Sequence, residues 1–305
     1  SVPGLAAPAA TVDLSPAPGG AVPATADGQI PLILEARPPY AGLAARVAAL
    51  GGRVEHAFEH IDALAVTIPA ERVPALLADP QVIAAQRQKL IKRAVAPVEI
   101  PGLGRLDEEA MRDAMRDVAG RLQESERRGG GSELETFLGY DIVTGASAVW
   151  EDAGFGEGAT VVVVDTGIFP AHPLLAGSVA GGLNLVPAAE EERIDANRDG
   201  TPDGHAFDWD AVENHYHGTA VGSLIAGHGD LILPAASRLA RSLAIHSPES
   251  IEPVDSLTVR VSLMGTAPAA TLYAIKVFPY DGGEAPDARV AAALDEVIRM
   301  RRSGE

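Results

Sequence analysis

The chain has no cysteine among its 305 residues. That absence excludes disulfides, thiolate metal centres and a cysteine nucleophile together. Long apolar runs are also missing: none approaches the roughly 20 residues a helix needs to cross a bilayer. Basic residues are scarce, 24 Lys and Arg against 42 Asp and Glu, for a formal net charge of −18. A chain of that sign repels nucleic acid and anionic membrane surfaces, and neither is expected as a partner. Lysine is rarest, present only as Lys89, Lys92 and Lys276. What the chain does have is apolar mass. With 47% hydrophobic residues it can build one large or two modest cores.

Residues 1–29 are rich in alanine, proline and glycine without periodicity, and read as a flexible leader. Residues 30–94 read as a small α+β domain. Pro31–Ala36 predicts a strand, Ala41–Leu50 a helix stopped by Gly51 and Gly52, and Arg53–Ile68 two strands with a bend near Ile61 and Asp62. Glu71–Ala78 predicts a second helix and Val82–Lys92 a last strand. That β-α-β-β-α-β order is the ferredoxin-like, split βαβ pattern. Residues 95–132 form a linker. Within it Leu106–Arg128 is charged and helical, with Met111, Met115, Val118 and Leu122 at helical spacing.

Residues 133–305 alternate strand and helix signals, which predicts an α/β domain with a parallel sheet. The all-valine run Val161–Val164 suits a central strand buried on both faces. His217–Gly227 predicts a helix with Val221, Leu224 and Ile225 inward, and Thr271–Phe278 another buried strand. Val290, Leu294, Val297 and Ile298 mark the inner stripe of a helix from Pro286 to near Gly304. So few strands would leave much of such a core uncovered, which points to a chain cut short.

Chemistry concentrates at two motifs. Val164–Ile168 reads Val-Asp-Thr-Gly-Ile and sets Asp165 where a buried strand ends, the place where functional groups gather in open α/β sheets. His217–Thr219 reads His-Gly-Thr and opens a helix of small apolar residues. The pair suits a carboxylate that orients a histidine general base. Taken singly, Asp165 could cap its turn and His217 could be a core histidine.

These motifs, in this order, resemble the subtilase family of serine proteases, whose order is aspartate, histidine, serine. Val149–Thr160 resembles the family's approach to the aspartate strand, His172–Pro173 falls where the family often has His-Pro, and Gly265–Phe278 resembles the strand after the histidine helix. Gly51–Val82 is similar to the family's inhibitory propeptide. The resemblance implies a subtilisin-like catalytic domain behind a ferredoxin-like propeptide domain that occupies the cleft, polypeptide substrates, and a secreted or cell-surface location. It implies Asp165 and His217 as catalytic residues. It also implies a serine in a Gly-Thr-Ser context and an oxyanion asparagine. Ser223, Ser237, Ser242, Ser247, Ser256, Ser262 and Ser303 all lack that context, so both groups are expected beyond Glu305, and this chain alone is expected to be inactive. Two further departures are Ala220, where the family often has a second histidine, and an insertion near Leu231–Met264, with a helix expected over Pro234–Ile245 and a strand over Leu257–Met264.

Asp195, Asn197, Asp199, Thr201 and Asp203 set oxygens at alternating positions around Gly200. That pattern suits structural calcium and resembles the start of an EF-hand loop. Ala206 stands where such a loop needs its bidentate glutamate, with Asp208, Asp210 or Glu213 as substitutes; a solvated acidic turn is the alternative. The remaining histidines, His56, His60, His205, His215, His228 and His246, are expected on the surface or in packing roles. A reading from another class is a catalytically dead pseudoprotease that binds or inhibits through its propeptide-like domain.

Overall fold

A computed structural model describes residues 11–13, 20–25, 27–92, 99–100, 104–105, 149–150, 154–246, 248 and 251–304. The helix expected over Leu106–Arg128 and most of the leader lie outside the described residues. Contacts divide the chain into two units, Ser1–Arg93 with Gly283–Glu305, and Ala94–Gly282.

The first unit carries the expected β-α-β-β-α-β run. Its strands are Gln29–Ala36, Arg53–Ala57, Ala63–Pro69 and Val82–Arg87, with helices Ala41–Ala49 and Val73–Leu77. Val82–Arg87, Gln29–Ala36, Ala63–Pro69 and Arg53–Ala57 lie side by side in that order, each antiparallel to its neighbours. The first helix ends at Leu50. The chain can turn there because Gly51 takes φ +82 and a Cβ on Gly52 would sit 2.5 Å from the Thr67 carbonyl oxygen. Two details differ from expectation. Thr11–Asp13, read as flexible leader, pairs in parallel with residues 84–86 at the sheet edge. The last strand breaks after Arg87 and resumes as Leu90–Ile91, which pairs with Ala285–Pro286.

Side-chain alternation builds two layers from one strand. Leu64, Val66 and Ile68 join Leu32, Leu34, Leu43, Val47 and Leu76 in the core under the two helices. Ala63 and Ala65 point the other way and pack with Phe58 against Ala288 of the helix Asp287–Ser303. That helix corrects its expected inner stripe: Leu294 is 51% and Ile298 37% exposed, while Ala288, Ala293, Asp295 and Met300 are buried. A sheet face lined by alanines admits the small side of a helix at close range, and branched side chains would hold it off. The buried Asp295 carboxylate accepts the amides of Glu59 (2.8 Å) and His60 (2.7 Å) and lies 3.3 Å from His60 Nδ1.

The second unit holds a parallel sheet in the order Val179–Asn184, Thr271–Lys276, Thr160–Asp165. The valine strand therefore lies at an edge of the described sheet, not at its centre; Thr271–Lys276 is the middle strand and carries the deeper burial. The helix His217–Ala226 covers one face, packing Val221, Ile225 and Ala226 on Val163, Ile168, Leu272 and Ala274. Leu224, expected inward, is 48% exposed. The helix rests on its glycines instead: a Cβ on Gly222 would lie 3.2 Å from Leu272 and 3.3 Å from Ile168.

The insertion forms an antiparallel sheet of His228–Pro234, Thr258–Met264 and Ile251–Pro253, with the helix Arg238–His246 against its core residues Val259 and Val261. The expected helix and strand are present. The strand His228–Pro234 was not expected, and it pairs along its whole length from His228↔Met264 to Pro234↔Thr258.

Candidate active site

Three parallel strands end in one polar row. In register across the sheet, Asp165 pairs with Lys276, and Lys276 with Asn184. Asp165 and Lys276 each follow, two residues on, an apolar position packed under the helix, Val163 and Ala274, so these two share that face. Asp165 ends its strand 8% exposed. Its carboxylate lies 2.8 and 2.9 Å from His217 Nδ1, and one of its oxygens accepts the Thr166 amide at 2.7 Å. A carboxylate only accepts, so Nδ1 carries the proton and Nε2 is left as the basic nitrogen.

The turn after Asp165 and the first turn of the histidine helix are laced together. Thr166 Oγ1 donates to the His215 carbonyl (2.7 Å) and accepts the Gly218 amide (2.9 Å). The Phe169 amide donates to Thr219 Oγ1 at 3.0 Å. Gly167, at φ +96, leads out of the turn, and a Cβ there would fall 2.3 Å from the Trp209 carbonyl. The threonines of both motifs are thus structural ties, which the sequence reading left unassigned; a threonine within two residues of both Asp165 and His217 was the available signal. His172 caps the short turn Pro173–Leu175 through Nδ1, which accepts the Leu174 amide, and it does not join Asp165 and His217. His215 Nδ1 accepts the His217 amide at 3.2 Å.

The loop from Asp195 to Asp203 folds around its own amides. Asp195 accepts from Asp199 (3.1 Å) and Gly200 (2.8 Å), Asn197 Oδ1 from Asp199 (3.0 Å), and Asp199 from Thr201 (2.8 Å). Asp203 accepts the Ala196 amide at 3.0 Å and the hydroxyl of Tyr280. The Tyr280 hydroxyl and that amide hold the Asp203 carboxyl below its ordinary range. Burial first, then the Asp203 hydrogen bond, pushes the Tyr280 phenol up. Among the described residues no group of three or more His, Cys, Asp or Glu is placed to hold a metal ion.

Residues 156–303 match the Subtilase family. That stretch is similar to a subtilase domain. The matched stretch takes in Asp165 and His217 and runs on through the helix Asp287–Ser303. The chain is similar to two solved structures. Fervidolysin from Fervidobacterium pennivorans, a keratinolytic enzyme related to subtilisin, is 18% identical with a TM-score of 0.46 over 93% of this chain and 35% of its own. The epidermin leader peptide processing serine protease of Staphylococcus aureus is 13% identical with a TM-score of 0.49 over 91% of this chain and 49% of its own. The chain thus spans less than half the length of either protein. No curated protein sequence matches it significantly. Among the described residues no helix is long and apolar enough to cross a membrane.

Proposed function

We propose that this chain is part of a subtilisin-like serine endopeptidase precursor, in which Asp165 and His217 are two members of the catalytic triad. One observation carries the reading: both oxygens of a nearly buried carboxylate lie within 2.9 Å of His217 Nδ1. Asp165 then fixes the tautomer and stabilises the imidazolium. Nε2 takes the proton from a serine hydroxyl as that oxygen attacks a peptide carbonyl, and returns it to the leaving amine. The serine and the oxyanion donor come from residues outside this sequence. The family match supports polypeptide substrates and secretion to the cell exterior; the propeptide role proposed for residues 30–94 rests on the resemblance of Gly51–Val82 to a subtilase propeptide. The pairing of Leu90–Ile91 with Ala285–Pro286 supports that role, as an extended tail laid along a strand. Structural calcium at Asp195–Asp203 is proposed from the residue pattern alone.

The test is to read the source gene through the codon for Glu305, express the whole product and assay it on an unfolded protein substrate. Hydrolysis that disappears in His217→Ala and falls by on the order of 10⁴ in Asp165→Asn supports the reading. Full activity in His217→Ala overturns it. A gene that stops at Glu305, with a product that cleaves nothing, turns the reading to the pseudoprotease.

A further inference from the structure

Lys276 and Glu191 form an ion pair with both side chains fully buried, 2.7 Å apart. Such a pair costs more in lost hydration than two apolar residues in its place would, so a specific role is the question it raises. The Lys276 ammonium has three protons and gives each an acceptor: Glu191 Oε1, the Phe207 carbonyl at 2.6 Å and Asn214 Oδ1 at 2.6 Å. Glu191 fills its remaining capacity with backbone amides, Phe207 on Oε2 and Tyr280 on Oε1, both at 2.8 Å. Asn184, the third member of the polar row, also donates to the Phe207 carbonyl, at 3.1 Å.

Four of these bonds converge on one segment, Phe207 to Asn214, which leads directly into His217. The segment is clamped at Phe207 by both members of the pair and at Asn214 by Lys276. Between them Trp209 accepts the Ile168 amide through its carbonyl at 2.9 Å and lays its ring where a Cβ on Gly182 would collide at 2.3 Å. One residue past Asn214, the His215 carbonyl is held by Thr166, next to Asp165. Lys276 is itself the cross-strand neighbour of Asp165. The strand that places the carboxylate and the strand that places the ammonium are therefore locked in register, and the ammonium fixes the approach of the chain to the histidine.

We propose that the buried Lys276–Glu191 pair is a positioning device for His217, acting through Asn214 and the Phe207 carbonyl to hold the imidazole against Asp165. This rests on the reading of Asp165 and His217 as a catalytic pair. Lys276 touches no reacting atom; it sets the angle at which the histidine meets its carboxylate.

The experiment is proton NMR of the full 305-residue chain, following the downfield Nδ1 proton of His217, assigned by its loss in His217→Ala, and its exchange with water. Three variants are compared with the parent at a temperature where circular dichroism shows all of them folded. Asn214→Ala cuts the link and leaves the ion pair intact. Lys276→Met with Glu191→Gln removes both charges together, so that no lone buried charge unfolds the chain. Asp165→Asn removes the acceptor itself. We expect exchange to quicken roughly tenfold in Asn214→Ala and in the double variant, as for loss of one ordinary hydrogen bond, and further in Asp165→Asn. If Asp165→Asn quickens exchange while the other two match the parent within twofold, the pair serves folding only and the proposal is overturned. If Asp165→Asn changes nothing, the catalytic-pair reading fails and takes the proposal with it. Should the double variant not fold, Asn214→Ala alone decides, because its site is only partly buried.

Discussion

Gly218 meets Gly167 with no room for a side chain between them: a Cβ on Gly218 would fall 2.1 Å from the Gly167 carbonyl oxygen. This contact lets the first turn of the histidine helix rest on the turn that presents Asp165. It also gives the glycine of the His-Gly-Thr motif a steric reason.

Gly218→Ala is therefore expected to push the helix start away from the Asp-Thr-Gly turn. The cost is about 1–3 kcal/mol, the usual range for overpacking a filled site. The His217 Nδ1 proton should lose its downfield position in the NMR spectrum. An unchanged resonance in a chain of parental stability would show that the turn yields without disturbing the pair.

Asp295 anchors its helix to the turn at Glu59 and His60. Burial pushes its carboxyl up, but the amides of Glu59 and His60 and the His60 ring outweigh burial and hold it below the ordinary range. A carboxyl depressed in the folded state contributes stability that is present above its unfolded pKa of about 3.9 and lost as pH falls through the folded value. Asp295→Ala should cost about 1–3 kcal/mol by leaving two amides without their acceptor. It should also flatten the loss of stability below about pH 4. Urea midpoints measured across acid pH check both; a mutant whose midpoints track the parent at every pH contradicts them.

Tyr280→Phe deletes the hydroxyl that Asp203 accepts. The Asp203 carboxyl should then titrate closer to its ordinary value, visible in carbon-detected NMR of the side-chain carboxylates. The parent's lower value means that the contact is lost as pH falls through the folded pKa. Titration at the same pH in both proteins would mean that the Ala196 amide alone sets it.

Calcium at the Asp195–Asp203 loop is expected to bind in the 10⁻⁴ to 10⁻³ M range, roughly that of extracellular modules. The melting temperature should rise with added calcium, and Asp195→Asn should abolish the rise. No heat of binding and no shift at millimolar calcium would leave the loop a turn held by its own amides.

Much of the local structure was legible in the residues. Gly51 and Gly52 end a helix, alternation marks the strand Ala63–Pro69, and the two short motifs point to Asp165 and His217, because each signal acts within a few positions of itself. What was not legible depended on partners far along the chain. The helix Asp287–Ser303 carries an alanine side and a branched side, and periodicity could not say that alanines on a distant strand would choose the former. The valine strand read as central because its composition suits burial, yet neighbour order belongs to the whole sheet. Lys276 is a lone lysine within an apolar strand, and nothing local says what it does there, because its partner Glu191 lies 85 positions upstream (276 − 191).

The bonds from Asp295 to Glu59 and His60 close a loop of some 235 residues. At ribosomal speeds of about 5–20 residues per second, that interval lasts roughly ten to fifty seconds. Through that time the nascent ferredoxin-like sheet has its two own helices on one side and bare alanines, with Phe58, on the other. Its second cover arrives only when the chain near Asp287 leaves the exit tunnel, so the first unit to be synthesised cannot be the first to be finished.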